Sequence, residues 1–344
     1  MISWIIFVPA LLLSFIWAVM FYKQFQRGLS DTALDDKFTW GLYVQEFFYF
    51  SALAGGILVF IAAVTLFKVD SLRPLSVVGS AVSFGCLVAA AISLGSDLGK
   101  PLRGLKILTG KNFASPLTWD FITLSLCGIL NLLFLTGIVS GHGAISMIWA
   151  ICCLAAALGF VMIHTLFFLS RVGAGFRSQP FLGLDTLAHS LWGGTALIAL
   201  ISLALGLETF NLIRILLILT ILVLVSLAGA TIASLTTKQK GVEYKKIIYM
   251  DLALLVILIL IQIAGPDNAV LLAIAAVLIL IAVFLEKSHL MRAYQSKPIL
   301  PLPYSRYDEV PAYSPTAKEW VMSLGSIGVC ILVTFVAFYL KTGL

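Results

Sequence analysis

Charge is scarce in this sequence. Asp, Glu, Lys and Arg together make up 11% of its 344 residues, whereas a soluble domain carries about 25%. That deficit excludes an ordinary water-soluble enzyme. The net charge is +6, but no basic domain accompanies it, which argues against a nucleic-acid partner. Cysteine is sparse too. The five are Cys86, Cys127, Cys152, Cys153 and Cys330; all lie in apolar runs and none has CxxC or zinc-ligand spacing. No disulfide framework, structural zinc site or iron–sulfur cluster held by this chain is expected. Histidine occurs four times, which limits any haem or metal ligation to very few arrangements.

What the sequence has in quantity is long hydrophobic runs, at 61% apolar residues overall. About 20 apolar residues as helix cross a bilayer core, and stretches 2–22, 41–67, 72–95, 117–140, 145–170, 186–207, 211–235, 247–265, 268–286 and 319–341 meet or approach that. Backbone polar groups must be paired in lipid, and the runs exceed barrel strands, so they are read as helices. The fold class is therefore an all-α polytopic membrane protein of about ten spans. No cation precedes the apolar core of the first run, and Lys23 and Arg27 follow it, which predicts a retained anchor.

Ten spans place both termini on one side, here side A. Loops 23–40, 96–116, 171–185, 236–246 and 287–318 fall on side B, and with them every one of the 22 cations except Lys68, Arg73, Arg214 and Lys341. The positive-inside rule then predicts a multi-pass protein of the cytoplasmic (inner) membrane, with side B cytoplasmic and both termini outside. The side A connections are tight, as in Ser140-Gly141-His142-Gly143. Side B holds the longer loops, including the proline- and tyrosine-rich stretch Lys297–Pro315, read as extended, either a spacer or a strap.

Ionisable residues inside spans are costly and are functional candidates by default. Gln45 and Glu46 open the second span and Asp97 ends the third. Trp119 and Asp120 open the fourth, His164 lies near the end of the fifth, Asp185 and His189 open the sixth, and Asp251 opens the eighth. All sit toward side B. Each has a plain alternative: Glu46 snorkelling outward, Asp97 ion-paired with Lys100 and Arg103, His164 bonding a neighbouring helix, His189 and Asp185 as an (i, i+4) pair. Together they predict one polar pocket at the head of a bundle, able to hold a small amphipathic ligand and move protons. Stretch Ser96–Asp120 is too long for a mere turn and carries Lys100, Arg103, Lys106 and Lys111, which suit an acidic docking surface, the inside rule or lipid headgroups alike. Small-residue runs Ser51–Gly56 and Trp192–Thr195 each follow a polar or aromatic entry segment, suggesting a repeat: spans 2–5 and 6–9 as two four-helix bundles, flanked by spans 1 and 10. The division expected is 1–39 (first helix and loop), 40–170 (first bundle), 171–286 (second bundle) and 287–344 (strap and last helix).

Three segments carry a family resemblance. Thr39-Trp40-Gly41 through Ala54-Gly55-Gly56, Asp97-Leu98-Gly99-Lys100-Pro101-Leu102-Arg103 with Ser115-Pro116-Leu117-Thr118-Trp119, and His164-Thr165 through Gly193-Gly194 resemble the polysulfide-reductase membrane-subunit family (NrfD/PsrC type). The resemblance covers about 40–200. It implies a quinone-reactive membrane anchor that exchanges electrons between the quinone pool (menaquinone or ubiquinone) and a docked iron–sulfur, ferredoxin-like subunit, and through it a molybdopterin or other catalytic subunit, with no haem or cluster of its own. On that reading Gln45, Glu46, Asp97, Trp119, His164 and His189 bind quinone, Glu46, Asp97, Asp120 and Asp251 move protons, and Lys100, Arg103, Lys106 and Lys111 dock the partner. His164 stands where many members have tyrosine. Two other readings compete: a b-type cytochrome subunit with haem clamped between His164 and His189, and a secondary transporter, which would place its polar site nearer the midplane.

Overall fold

The computed structural model describes residues 2–35, 38–100, 104, 106–110, 112–139, 143–170, 181–207, 212–237, 245–264, 268–295 and 313–343. They form ten helices long and apolar enough to cross a membrane. These are α1 (Ile2–Arg27), α2 (Leu42–Leu66), α3 (Leu75–Asp97), α4 (Pro116–Leu135), α5 (Ala144–Ser170), α6 (Leu182–Ala204), α7 (Leu212–Thr237), α8 (Lys245–Ala264), α9 (Ala269–Gln295) and α10 (Ala317–Thr342). The described residues contain no strand. The ten runs expected from hydropathy are the ten helices found. The largest difference is α9, which continues past the expected end at 286 to Gln295. Lys287 is therefore not a loop cation: it is buried in the helix, with Nζ 2.9 Å from Glu286 Oε2. An ammonium neutralised by a neighbouring carboxylate does not end a helix.

Helix α2 is the axis of the molecule, and nearly all of it is buried. It packs against α3, α5 and α6 and touches α9 and α10. Helices α2–α5 form one group and α6–α9 another; α1 pairs with α10, which lies along α3. The two groups meet where small residues allow it. A Cβ on Gly56 would fall onto the carbonyl of Ser190 in α6, and one on Gly194 would come within 2.8 Å of the Ile57 backbone nitrogen. The Gly-Gly pairs at 55–56 and 193–194 are thus the α2–α6 contact itself, the close approach that small residues serve in lipid.

The side B end is tied by hydrogen bonds. Gln295 Oε1 accepts from Trp40 N (2.9 Å) and its Nε2 donates to Trp40 O (2.8 Å), clamping the end of α9 to the entry of α2. The Trp40 ring stacks on Tyr294. Glu319 in the first turn of α10 is fully buried and accepts from Tyr313 Oη (2.6 Å), Thr316 N (2.8 Å) and Ala33 N (3.1 Å). Thr316 and Glu319 form a reciprocal cap on α10. The Tyr313 hydroxyl also accepts from Leu42 N at 2.8 Å. Burial, then the Glu319 carboxylate, raises its pKa above the ordinary phenol value, so it stays a donor. Nearby, Lys318 bonds Asp31 at 2.7 Å and holds that exposed carboxylate below its usual pKa. Of the proposed strap, 296–312 lies outside the described residues; its end, Tyr313, is seated on the start of α2.

Glu319 joins three chain segments, and each bond to a charged acceptor contributes about 1.5–3 kcal/mol. Glu319→Ala is therefore expected to lower stability by about 3 kcal/mol, measured by denaturant titration in mixed micelles. Glu319→Gln, which keeps an acceptor, should lose less.

Candidate functional site

Not every buried polar group is a site. Asn131 in α4 accepts from Ser80 Oγ (2.8 Å) and donates to Ser83 Oγ (3.1 Å) and the Cys127 carbonyl (3.1 Å), so it is satisfied and joins α4 to α3. The informative groups are those left unpaired, because burying a polar atom without a partner costs roughly 1–3 kcal/mol.

The sequence led us to expect one pocket. The structure sorts the candidates into three clusters at the side B end. The first lies between α2, α3 and α4, under the Ser96–Asp120 stretch. A cavity of about 160 Å³ is walled there by Phe47 of α2, Leu94 and Gly95 of α3, Ile107 of the intervening loop, and Phe121 of α4, with Asp120 on its wall. His164 of α5 stands behind Asp120, its Nε2 3.3 Å from Asp120 Oδ1. Both side chains are buried. The imidazole is held in an aromatic box, with the rings of Phe48, Phe160 and Phe47 at 4.9, 5.1 and 6.0 Å between centroids. No side chain hydrogen-bonds His164 Nδ1 among the described residues. The pair is thus rigidly placed yet retains unused hydrogen-bonding capacity, as a binding or proton-transfer site requires.

The second cluster surrounds Glu46. Ser323 of α10 donates to Glu46 Oε1, and Ser93 of α3 donates to Oε2 at 3.4 Å. This carboxylate lines a different space, an apolar groove of about 260 Å³ with Tyr49 of α2, Phe284 of α9 and Trp320 of α10. Consecutive residues of α2, Glu46 and Phe47, therefore serve different spaces. Gln45 is buried with Nε2 unpartnered among the described residues, and Asp97 ends α3 with Oδ1 in the same condition.

The third cluster belongs to the second bundle. His189 of α6 has Nδ1 3.1 Å from Asp185 Oδ1 and Nε2 3.7 Å from Asp251 Oδ2 of α8. Asp185, His189 and Glu286 can bring one ligand atom each within 4.8 Å of one another. His189 was expected beside His164; instead its contacts are in the α6–α9 group, and the two imidazoles face separate carboxylates. That arrangement does not favour a haem between them. Glu286 and Lys287 were missed, because an adjacent pair of opposite charges at the end of an apolar run reads as the start of a loop.

Trp119 also differs from expectation. It is substantially exposed, its Nε1 donates to the Phe113 carbonyl at 2.8 Å, and it does not line the cavity. Its role is to fold the loop back on α4. Of the four loop cations, Lys106 is exposed at the start of a one-turn helix, Lys106–Thr109, and Lys100 is exposed at the end of α3. Arg103 and Lys111 lie outside the described residues.

Comparison with known proteins bears on what such a site serves. Over 202 residues, 52% of this chain, the sequence is 28% identical to a protein of Halobacterium salinarum named a "Putative dimethyl sulfoxide reductase membrane subunit". This chain is similar to a membrane subunit of a reductase. The match takes in 46% of that protein, so the chain spans about half the length of the curated relative it matches. No family model matches the sequence. A multi-pass membrane protein is what both the ten helices and this relative support.

Proposed function

We propose that this chain is the membrane-anchor, quinone-reactive subunit of a respiratory oxidoreductase, exchanging electrons between the quinone pool and a docked iron–sulfur subunit. One observation carries the reading: the cavity under the Ser96–Asp120 stretch, with Asp120 on its wall and His164 behind it. Its size suits a ring headgroup, since an apolar cavity of about 150 Å³ holds benzene. Its apolar walls and small number of polar groups are what a quinone ring needs. The resemblance to the NrfD/PsrC-type family and the relative's name as a reductase membrane subunit point the same way.

When bound, a quinol supplies two electrons and two protons. The chain's part is to orient the ring and take the protons. Asp120 and His164 can pass a proton between them at 3.3 Å. Phe47, Phe48 and Phe160 fix the imidazole and exclude water from it. The electrons leave toward the partner, for which the exposed Lys100 and Lys106, with Arg103 and Lys111 in the same loop, offer a positive face. The reaction served, the direction of electron flow and the type of quinone are set by that partner and by the membrane.

The binding test uses a cavity-filling variant. A Cβ on Gly95 meets nothing within 4 Å, so Gly95→Phe enters the cavity without touching backbone. A fluorescent quinol analogue should bind the purified complex once per chain, and at least tenfold more weakly after Gly95→Phe. Unchanged affinity would overturn the assignment of this cavity.

Orientation is part of the proposal. Removing buried Lys287 from the count leaves the cation excess on side B large, so side B, and with it the docking face, is cytoplasmic. A reporter fused after Leu344 should be active outside the cytoplasm; activity inside alone would reverse the topology.

A further inference from the structure

The first-bundle cavity leaves the third cluster without a role, although it holds more buried ionisable groups than the quinone site does. We propose that the second bundle contains a proton-loading site made of Asp185, His189, Asp251, Glu286 and Lys287, with Asp251 carrying the exchangeable proton and a row of polar side chains on α6 leading from it toward side A. This inference goes beyond the quinone reading and does not rest on it.

The groups facing the site come from four helices. Asp185 and His189 belong to α6, Asp251 to α8, and Glu286 and Lys287 to α9; α7 adds Ser226, whose hydroxyl donates to Asp185 Oδ1 at 3.1 Å. Helix α2, packed against α6 and α9, brings Gly56 and Ile57 to α6 and turns Glu46 to the groove beside α10. All five ionisable side chains are at most 1% exposed.

Charge then decides what is missing. Three carboxylates face one ammonium and one imidazole. Even with the imidazole protonated, one negative charge is left over, and an uncompensated charge in a low-dielectric bundle is untenable. The site must hold one more positive charge. A hard metal cation is a poor candidate, because it asks for about six or more oxygen ligands and Lys287 Nζ already stands 2.9 Å from a Glu286 oxygen. A proton meets the need with no further ligand.

Its place follows from the distances. Glu286 is matched by Lys287. Asp185 is matched by His189 Nδ1 at 3.1 Å and by Ser226. Asp251 is served least: His189 Nε2 is 3.7 Å away, and neither of its oxygens has a hydrogen-bond partner among the described residues.

A second observation gives the site an outlet. Further along α6, Trp192 Nε1, Thr195 Oγ1 and Ser202 Oγ are all fully buried and unpartnered among the described residues. From His189 to Ser202 the row covers about 20 Å of helix at ~1.5 Å per residue. Buried unsatisfied hydroxyls and indole N–H groups are where internal water is held, and a water-bridged row of this kind passes protons.

The test needs no quinone. The purified full-length chain in nanodiscs is examined by infrared difference spectroscopy at neutral pH, comparing wild type with variants in the carboxylic-acid carbonyl region. Asp251→Asn should remove one acid band by deleting its bearer. Glu286→Gln should remove the same band by a different route, since it abolishes the excess negative charge and leaves Asp251 ionised. Thr195→Val and Ser202→Ala should keep the band's amplitude and slow its appearance after a rapid pH drop by at least tenfold. Retention of the band in Asp251→Asn or in Glu286→Gln, an unchanged rate in both hydroxyl variants, or a stoichiometric metal in the wild-type protein by elemental analysis would overturn the proposal. Because no quinone enters the assay, its failure leaves the first-bundle reading untouched, and the reverse holds for Gly95→Phe.

Discussion

Replacing His164 with Phe is expected to lower quinol-driven electron transfer by about 100-fold or more, the scale of a lost, well-placed proton-transfer group. The substitution conserves an aromatic ring in a box of aromatic rings, so Phe47, Phe48 and Phe160 can pack against it as before. What disappears is the pair of ring nitrogens, one of them 3.3 Å from Asp120. The loss should therefore fall mainly on kcat, with the thermal melt of the complex moved by only a few degrees. Asp120→Asn provides the complementary measurement. It keeps the shape of the cavity wall and removes the charge, so it should reduce the rate less than His164→Phe while changing the pH dependence of quinol oxidation. Assays in native membranes with the intact complex check both. A His164→Phe enzyme with wild-type turnover would remove the residue from the site.

His164 and His189 also show where a sequence stops being informative. Hydropathy locates the spans because desolvation of about 20 residues is a large, one-dimensional quantity. Depth is nearly as legible: a residue's distance from the end of its span follows from the helix rise. On that basis Gln45, Glu46, Asp97, Asp120, His164, Asp185, His189 and Asp251 were correctly placed toward one end. Azimuth is not legible in the same way. These spans are apolar almost all round, so no hydrophobic stripe says which face meets which neighbour. His164 and His189 share a side of the membrane, yet one faces Asp120 in the first bundle and the other Asp185 and Asp251 in the second. One expected pocket consequently became three clusters.

Lys287 illustrates a different blind spot. Hydropathy sums each side chain as if it were alone, and an adjacent Glu286–Lys287 pair therefore ended the ninth run. In the folded chain the two compensate each other inside the bundle and the helix continues to Gln295. The Gly-Gly pairs, by contrast, were a weak signal in the sequence and are specific in the structure, since backbone-to-backbone approach tolerates almost no other residue.

That contact yields the second large effect. At Gly56 an added Cβ would occupy the position of the Ser190 carbonyl, and backbone cannot turn aside as a side chain does. Gly56→Ala must therefore push α6 away from α2, disturbing the contact that joins the two bundles and shifting His189 along with Ser190. Overpacking usually costs about 1–3 kcal/mol; because the obstacle here is backbone at the centre of the molecule, about 3 kcal/mol or more is expected, visible as an earlier unfolding transition in mixed micelles. The control is Gly128→Ala in the middle of α4, where a Cβ meets nothing within 4 Å. There the methyl group only reduces the freedom of the unfolded chain, and stability should rise by roughly 0.5–1 kcal/mol. Opposite signs from the same chemical change would show that the glycines of α2 are present for helix–helix distance. Equal, small effects at both positions would mean that α2 and α6 are not in backbone contact, and the separation of the His164 and His189 clusters would need to be drawn again.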